Sequence, residues 1–190
     1  TREILIQHAS KYKIPLFDVV TPSVEFAIKQ SITKYIGVIG TTSTINSKAY
    51  SKLFYSNKSN LKIYENACPL FVPIIEEGWA NTQIAGKIAE IYLEKFNNTN
   101  IDKLILGCTH YPIMEKTIKN TISADIELIF SGKTVGEKLY DYLSNKMLLN
   151  NYTTTPKVDF YVSDFPQKFD QLGSRFLGRK LNNVKQINLD

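Results

Sequence analysis

The sequence predicts an α/β protein built on a parallel sheet. Short β-branched runs alternate with longer helical stretches along the 190 residues. Two of those runs, Tyr35-Ile36-Gly37-Val38-Ile39-Gly40 and Lys103-Leu104-Ile105-Leu106-Gly107, are almost continuously apolar, as strands covered on both faces must be. A polar cluster follows each of them, at the strand end where parallel sheets hold their ligands. With 43% hydrophobic and 22% charged residues the chain can bury a core, which excludes disorder as its main state.

In chain order, residues 1–12 read as a helix with Ile4, Leu5, His8 and Tyr12 on one face, ended by Pro15. Leu16 to Val20 reads as a short strand, and Ser23 as the cap of a helix running to Ser31. The Tyr35 run is a buried strand, Thr41 to Thr44 a polar turn, and Ser47 to Tyr55 a helix. Leu61 to Tyr64 is a strand, and Ala67 to Pro73 a stiff apolar segment without regular structure. Thr82 to Phe96 is an amphipathic helix with Ile84, Ile88, Ile91 and Leu93 facing the core. The Lys103 run leads straight into Cys108-Thr109-His110-Tyr111-Pro112, where Pro112 fits the first turn of a helix. A strand at Glu127 to Phe130, a helix at Gly136 to Met147, a linker at Asn150 to Pro156, a strand at Val158 to Val162 and a helix at Gln167 to Phe176 complete the pattern.

Of 23 basic residues only Arg2, Arg175 and Arg179 are arginine, and the lysines are spread along the chain. That distribution argues against a nucleic-acid partner, which calls for a clustered stripe with arginine for bidentate contacts. No run of about 18 uncharged apolar residues marks a membrane span. The two cysteines, Cys68 and Cys108, sit in no CxxC motif and are too few for a disulfide framework, so a reduced cytoplasmic setting is expected.

A thiol placed where Cys108 stands, at the mouth of a helix, meets backbone N–H groups and a helix dipole that favour thiolate. His110, two residues on, is a proton partner for it or orients a substrate group. The Thr41 to Thr44 cluster offers hydroxyls and backbone donors suited to a carboxylate or phosphate. Against this, a lone cysteine is most often a small buried apolar residue. That reading wins for Cys68, within Ala-Cys-Pro-Leu-Phe, and stands level with the reactive one for Cys108. His8 reads as structural or surface, Trp79 as packing, and Glu76-Glu77 as a solvated face. No Gly-rich phosphate loop, metal-spaced ligand set or GxSxG motif occurs.

Leu106-Gly107-Cys108-Thr109-His110-Tyr111-Pro112 resembles the signature of the glutamate racemases. Gly37-Val38-Ile39-Gly40-Thr41 with Thr44-Ile45 and Ser47, Ala49-Tyr50, then Ala67-Cys68-Pro69-Leu70-Phe71-Val72-Pro73 with Glu76-Glu77-Gly78, match in the family's order and spacing. Phe160-Tyr161-Val162-Ser163 with Phe169 resembles its last strand and helix. The resemblance implies a flavodoxin-like lobe of a two-lobed Asp/Glu racemase fold, with glutamate as substrate between the lobes. It implies proton exchange by two cysteines without pyridoxal phosphate, metal or nucleotide, so no cofactor is expected. By residue, it makes Cys108 the catalytic cysteine of the second lobe, serving the L enantiomer. His110 assists that thiol or the substrate ammonium, and Glu76 stands near the substrate amino group. Thr41, Thr44 and Thr109 bind substrate. It also implies a role in supplying D-glutamate for peptidoglycan, and allows a homodimer.

Departures from the family bear on completeness. Its opening Asp-Ser-Gly, Pro-Tyr-Gly and Cys-Asn-Thr motifs, the last with the first catalytic cysteine, are not in these 190 residues, and Thr1 is not an initiator Met. Thr21-Pro22-Ser23 and Phe130-Ser131-Gly132 stand where Glu-Pro-Gly and Asp-Ser-Gly are common. The expectation is therefore a fragment inactive alone. Residues 1–16 are a helix of an incomplete first lobe, 17–130 a complete second lobe, and 131–190 the C-terminal part of the first lobe. Apolar residues after Ser131 are then expected to be exposed. Two alternatives are an aspartate or related amino-acid racemase and a non-catalytic one-lobe binding protein.

Overall fold

The computed structural model describes residues 9, 11, 15–57, 60–150 and 155–188. The helix expected over residues 1–12 lies largely outside the described residues. Contacts divide the chain after Leu149 into two units.

The first unit is an α/β sandwich. Helix α1 (Val20–Gln30) precedes strand β1 (Tyr35–Gly40), short α2 (Thr42–Asn46), α3 (Ala49–Ser56) and β2 (Lys62–Ala67). Then come α4 (Phe71–Glu76), α5 (Gln83–Leu93) with a 3-10 turn at Glu94–Phe96, and β3 (Lys103–Leu106). A second 3-10 turn, Tyr111–Met114, leads into α6 (Glu115–Thr121), followed by β4 (Glu127–Phe130) and α7 (Ser131–Asn145). The four strands are parallel in the order β2-β1-β3-β4. The chain therefore leaves β1 toward one edge and returns to build toward the other, and such a reversal is where parallel sheets form their ligand crevice, here the C-terminal ends of β1 and β3. The expected α/β parallel-sheet class is what forms.

Both central strands are buried because helices cover both faces. Ile36, Val38 and Ile39 of β1, and Leu104, Ile105 and Leu106 of β3, are all buried. Lys103 begins β3 without breaking it, because its ammonium meets Glu127 Oε2 at 3.1 Å across the register. Helix α7 packs on α1 through a Ser23–Thr134 hydroxyl contact at 3.1 Å and a Lys138–Glu25 ion pair at 2.6 Å.

Several local expectations are corrected. Leu16 to Val20 is not a strand: the Asp18 carboxylate accepts from the Val20 and Thr21 N–H groups at 2.9 and 2.8 Å and starts α1 there. Ser23 is no cap, since it is buried in α1 with its hydroxyl donating to the Val19 carbonyl. The stiff segment after Cys68 turns into α4, and β2 continues to Ala67. In α5 the core face is Ala85, Ala89 and Leu93, whereas Ile84 and Ile91 are exposed. Small residues face inward there, where the helix packs chiefly against α6. Trp79, expected to pack, is half-exposed.

The second unit holds β5 (Phe160–Val162), α8 (Pro166–Leu177) and β6 (Val184–Gln186), with β5 and β6 parallel. Strand β6 escaped the sequence reading. None of the residues of α8 is buried. Tyr140, Met147, Tyr161 and Phe165, all after Ser131, stand exposed.

Candidate functional site

Three turns meet at the C-terminal edge of the sheet. The first follows β1. Thr41 caps α2, its hydroxyl accepting from the Thr44 N–H at 3.2 Å and lying 3.0 Å from the Thr44 hydroxyl. The second follows β2, where the Cys68 N–H donates to the Gly40 carbonyl at 2.8 Å before the chain enters α4. The third follows β3. The Gly107 N–H donates to the Ile39 carbonyl at 2.7 Å, continuing the ladder one residue past the strand and delivering Cys108 beside the Thr41 turn.

Gly107 is required there by space. A Cβ at this position would lie 2.8 Å from the Ile39 carbonyl oxygen, a backbone atom that cannot give way, and 3.1 Å from the Tyr50 ring.

Around Cys108 the polar groups form a line. The sulfur lies 3.9 Å from His110 Nδ1, and His110 Nε2 lies 3.7 Å from Glu76 Oε1, at ion-pair distance. The Thr109 hydroxyl is 3.4 Å from the same His110 Nδ1 and is exposed toward solvent. Burial pushes the Cys108 thiol above its ordinary value, and it outweighs the opposing pull of the His110 and Tyr111 backbone N–H groups. The expectation that helix dipole and N–H groups would favour thiolate is thus reversed by desolvation. Desolvation of the half-buried sulfur therefore disfavours its thiolate. Cys68 is a different case: it is fully buried, and burial pushes its thiol up to about 12. Its structural reading fits.

The crevice brings Thr41, Thr44, Cys108, Thr109, His110 and Glu76 to one edge. Glu76, read from its neighbours as a solvated carboxylate, instead reaches His110. Two residues escaped the sequence reading. Tyr50 is buried beneath Gly107, with its phenol hydrogen-bonded to Ser131, whose own hydroxyl donates to the Leu106 carbonyl at 3.0 Å. Tyr111 donates to the Cys68 carbonyl at 3.0 Å. Their signal was only the motif itself, because each bond joins residues far apart in sequence.

A cavity of about 490 Å³ lies at the opposite, N-terminal end of the sheet, lined by Tyr35, Asn97, Asp102 and Asp125 among others. It is remote from the thiol. Its Asp102 carboxylate is engaged as a structural cap, accepting from the Ser31 hydroxyl at 2.7 Å and the Thr33 N–H at 3.1 Å. Among the described residues no group of three or more His, Cys, Asp or Glu is placed to hold a metal ion, and no helix is long and apolar enough to cross a membrane.

The family model described as Asp/Glu/Hydantoin racemase matches residues 4–135. A glutamate racemase of Syntrophus aciditrophicus is 36% identical over 176 residues, covering 93% of this chain and 65% of that protein. The chain thus spans about 65% of the length of such curated relatives. Among solved structures, the glutamate racemase of Francisella tularensis in complex with D-glutamate superposes with a TM-score of 0.88 at 37% identity, over 99% of this chain and 69% of that one. The glutamate racemase isoform RacE1 of Bacillus anthracis gives 0.89 at 31%, over 97% and 69%.

Proposed function

The chain belongs to the Asp/Glu/Hydantoin racemase family, and from that premise we propose that it is the Cys108-bearing part of a cofactor-independent glutamate racemase. The observation that carries the proposal is the Cys108–His110–Glu76 line at the crevice where the sheet order reverses.

The chemistry follows from the site. Removing an α-proton from an amino acid needs a base held against one face of the carbon, with the substrate carboxylate fixed by donors. The Thr41 and Thr44 hydroxyls and the backbone of their turn suit the carboxylate, and Thr109 adds a donor beside the thiol. His110 accepts the proton of Cys108 through Nδ1, and Glu76 stabilises the imidazolium so formed from the other side. The thiolate then takes the α-proton of L-glutamate. Because burial disfavours the resting thiolate, ionisation is coupled to the substrate ammonium arriving in the crevice.

Racemisation also needs an acid on the opposite face. Cys68, fully buried, cannot serve, and the proposal assigns that role to a second thiol that is not among the described residues. The proposal places residues 17–130 in the lobe carrying this site and 131–190 with the other, α7 being the part of the latter that packs on α1 through Ser23–Thr134 and Lys138–Glu25. A cytoplasmic homodimer supplying D-glutamate for peptidoglycan is part of the same proposal. The matches to proteins named glutamate racemase favour glutamate over aspartate.

The test is Cys108→Ser in the full-length gene product. Exchange of the α-proton of L-glutamate with deuterated water, followed by NMR, falls by at least about 100-fold. Near-normal turnover in the folded variant overturns the assignment.

A further inference from the structure

We infer that Tyr111 is a positioning residue: it fastens the turn carrying Cys108 and His110 to the turn that launches the Glu76 helix, and so sets the geometry around the thiol. Its catalytic consequence rests on the racemase reading above, but the fastening does not.

Tyr111 is fully buried, with its ring edge-on to Phe71 at a centroid distance of 5.2 Å. Packing alone needs no hydroxyl there, since phenylalanine would make the same contact without a polar atom to bury. The hydroxyl instead spans 43 residues of sequence to donate to the Cys68 carbonyl at 3.0 Å. Cys68 in turn donates its N–H to Gly40, the residue before Thr41. The Tyr111 side chain therefore ties the third turn to the second, and the Cys68 backbone ties the second to the first. At its other end, the Tyr111 N–H donates to the Cys108 carbonyl at 3.2 Å and, with that of His110, favours the charged form of the sulfur.

From Cys68 only Pro69 and Leu70 precede α4, whose last residue is Glu76. A drift of that turn alters the His110–Glu76 separation, and with it the support that orients His110 toward the sulfur. The titratable groups facing the sulfur are His110 on its own turn, the Tyr50 phenol from α3, the Tyr111 phenol, and Glu76 from α4 behind His110.

The experiment is the pH dependence of iodoacetamide alkylation in the full-length gene product. Mass spectrometry reads Cys108 separately from Cys68, and no catalysis is required. In Tyr111→Phe the Cys108 midpoint rises by about half a pH unit, because its N–H donors lose their fixed place. In the same variant kcat falls roughly fivefold with KM little changed. A folded Tyr111→Phe protein with an unmoved midpoint overturns the inference, whatever its melting temperature, since the bond then only holds the fold. A raised midpoint in a protein whose wild type racemises nothing overturns the racemase reading and upholds the fastening. Should Tyr111→Phe not fold, Pro69→Gly loosens the accepting turn without touching residues 108–111. It must raise the midpoint in the same direction, and an unmoved midpoint there is equally fatal.

Discussion

At the scale of single residues, the site depends on what is missing as much as on what is present. Gly107 has no side chain because the Ile39 carbonyl occupies the space, and that carbonyl is also the acceptor that holds the turn against β1. Gly107→Ala therefore forces the end of β3 away from β1. We expect a loss of about 1–3 kcal/mol in urea denaturation, and a Cys108 displaced with the backbone. An unchanged urea midpoint would show that the turn has room. The place of Cys108 and His110 at the end of a buried parallel strand was legible in the sequence, and it is there that such sheets hold ligands. The state of the thiol was not legible. Burial and backbone donors act on it in opposite directions, and sequence does not reveal how deep the sulfur lies. Glu76 gave no local sign of meeting His110, because that encounter depends on how α4 leaves the β2 turn.

At the scale of elements, apolar runs located the interior strands well and amphipathic patterns located faces less well. β1 and β3 matched their runs because both their faces are covered. In α5 the large residues marked the core face only in part: Leu93 is buried and Ile88 half-buried, but Ile84 and Ile91 point outward while Ala85 and Ala89 face inward. The start of α1 was read as strand because Leu16 to Val20 is apolar, yet Asp18 supplies a carboxylate to the first free N–H groups. Asp18→Ala removes that acceptor and leaves the Thr21 hydroxyl without its 2.7 Å bond. The expected cost is about 1 kcal/mol in thermal or urea unfolding, with Asp18→Asn recovering most of it. Equal stability of all three proteins would mean the carboxylate does not start the helix.

For the whole molecule, buried acids determine how it tolerates alkali. Burial lifts Cys68 from 9.0 to about 12 and also raises Tyr50 and Tyr111. Each keeps its proton in the fold at a pH where the unfolded chain has released it, so the unfolded state binds fewer protons and stability falls as pH rises. For Cys68 the decline begins near the unfolded value of 9.0, with a slope of at most about 1.4 kcal/mol per pH unit until about 12. Urea melts at about pH 8 and about pH 10.5 measure it, and Cys68→Ala should flatten the decline. An equally steep decline in that variant would show that Cys68 contributes nothing to it. A parallel sheet also separates its two ends. The thiol, its histidine and the threonine turn occupy one pole, while Asp102, the Lys103–Glu127 pair and the residues 97–100 loop occupy the other. A fluorophore or surface tether attached in that distant loop would report on the protein or immobilise it while leaving the Cys108 end open to solution.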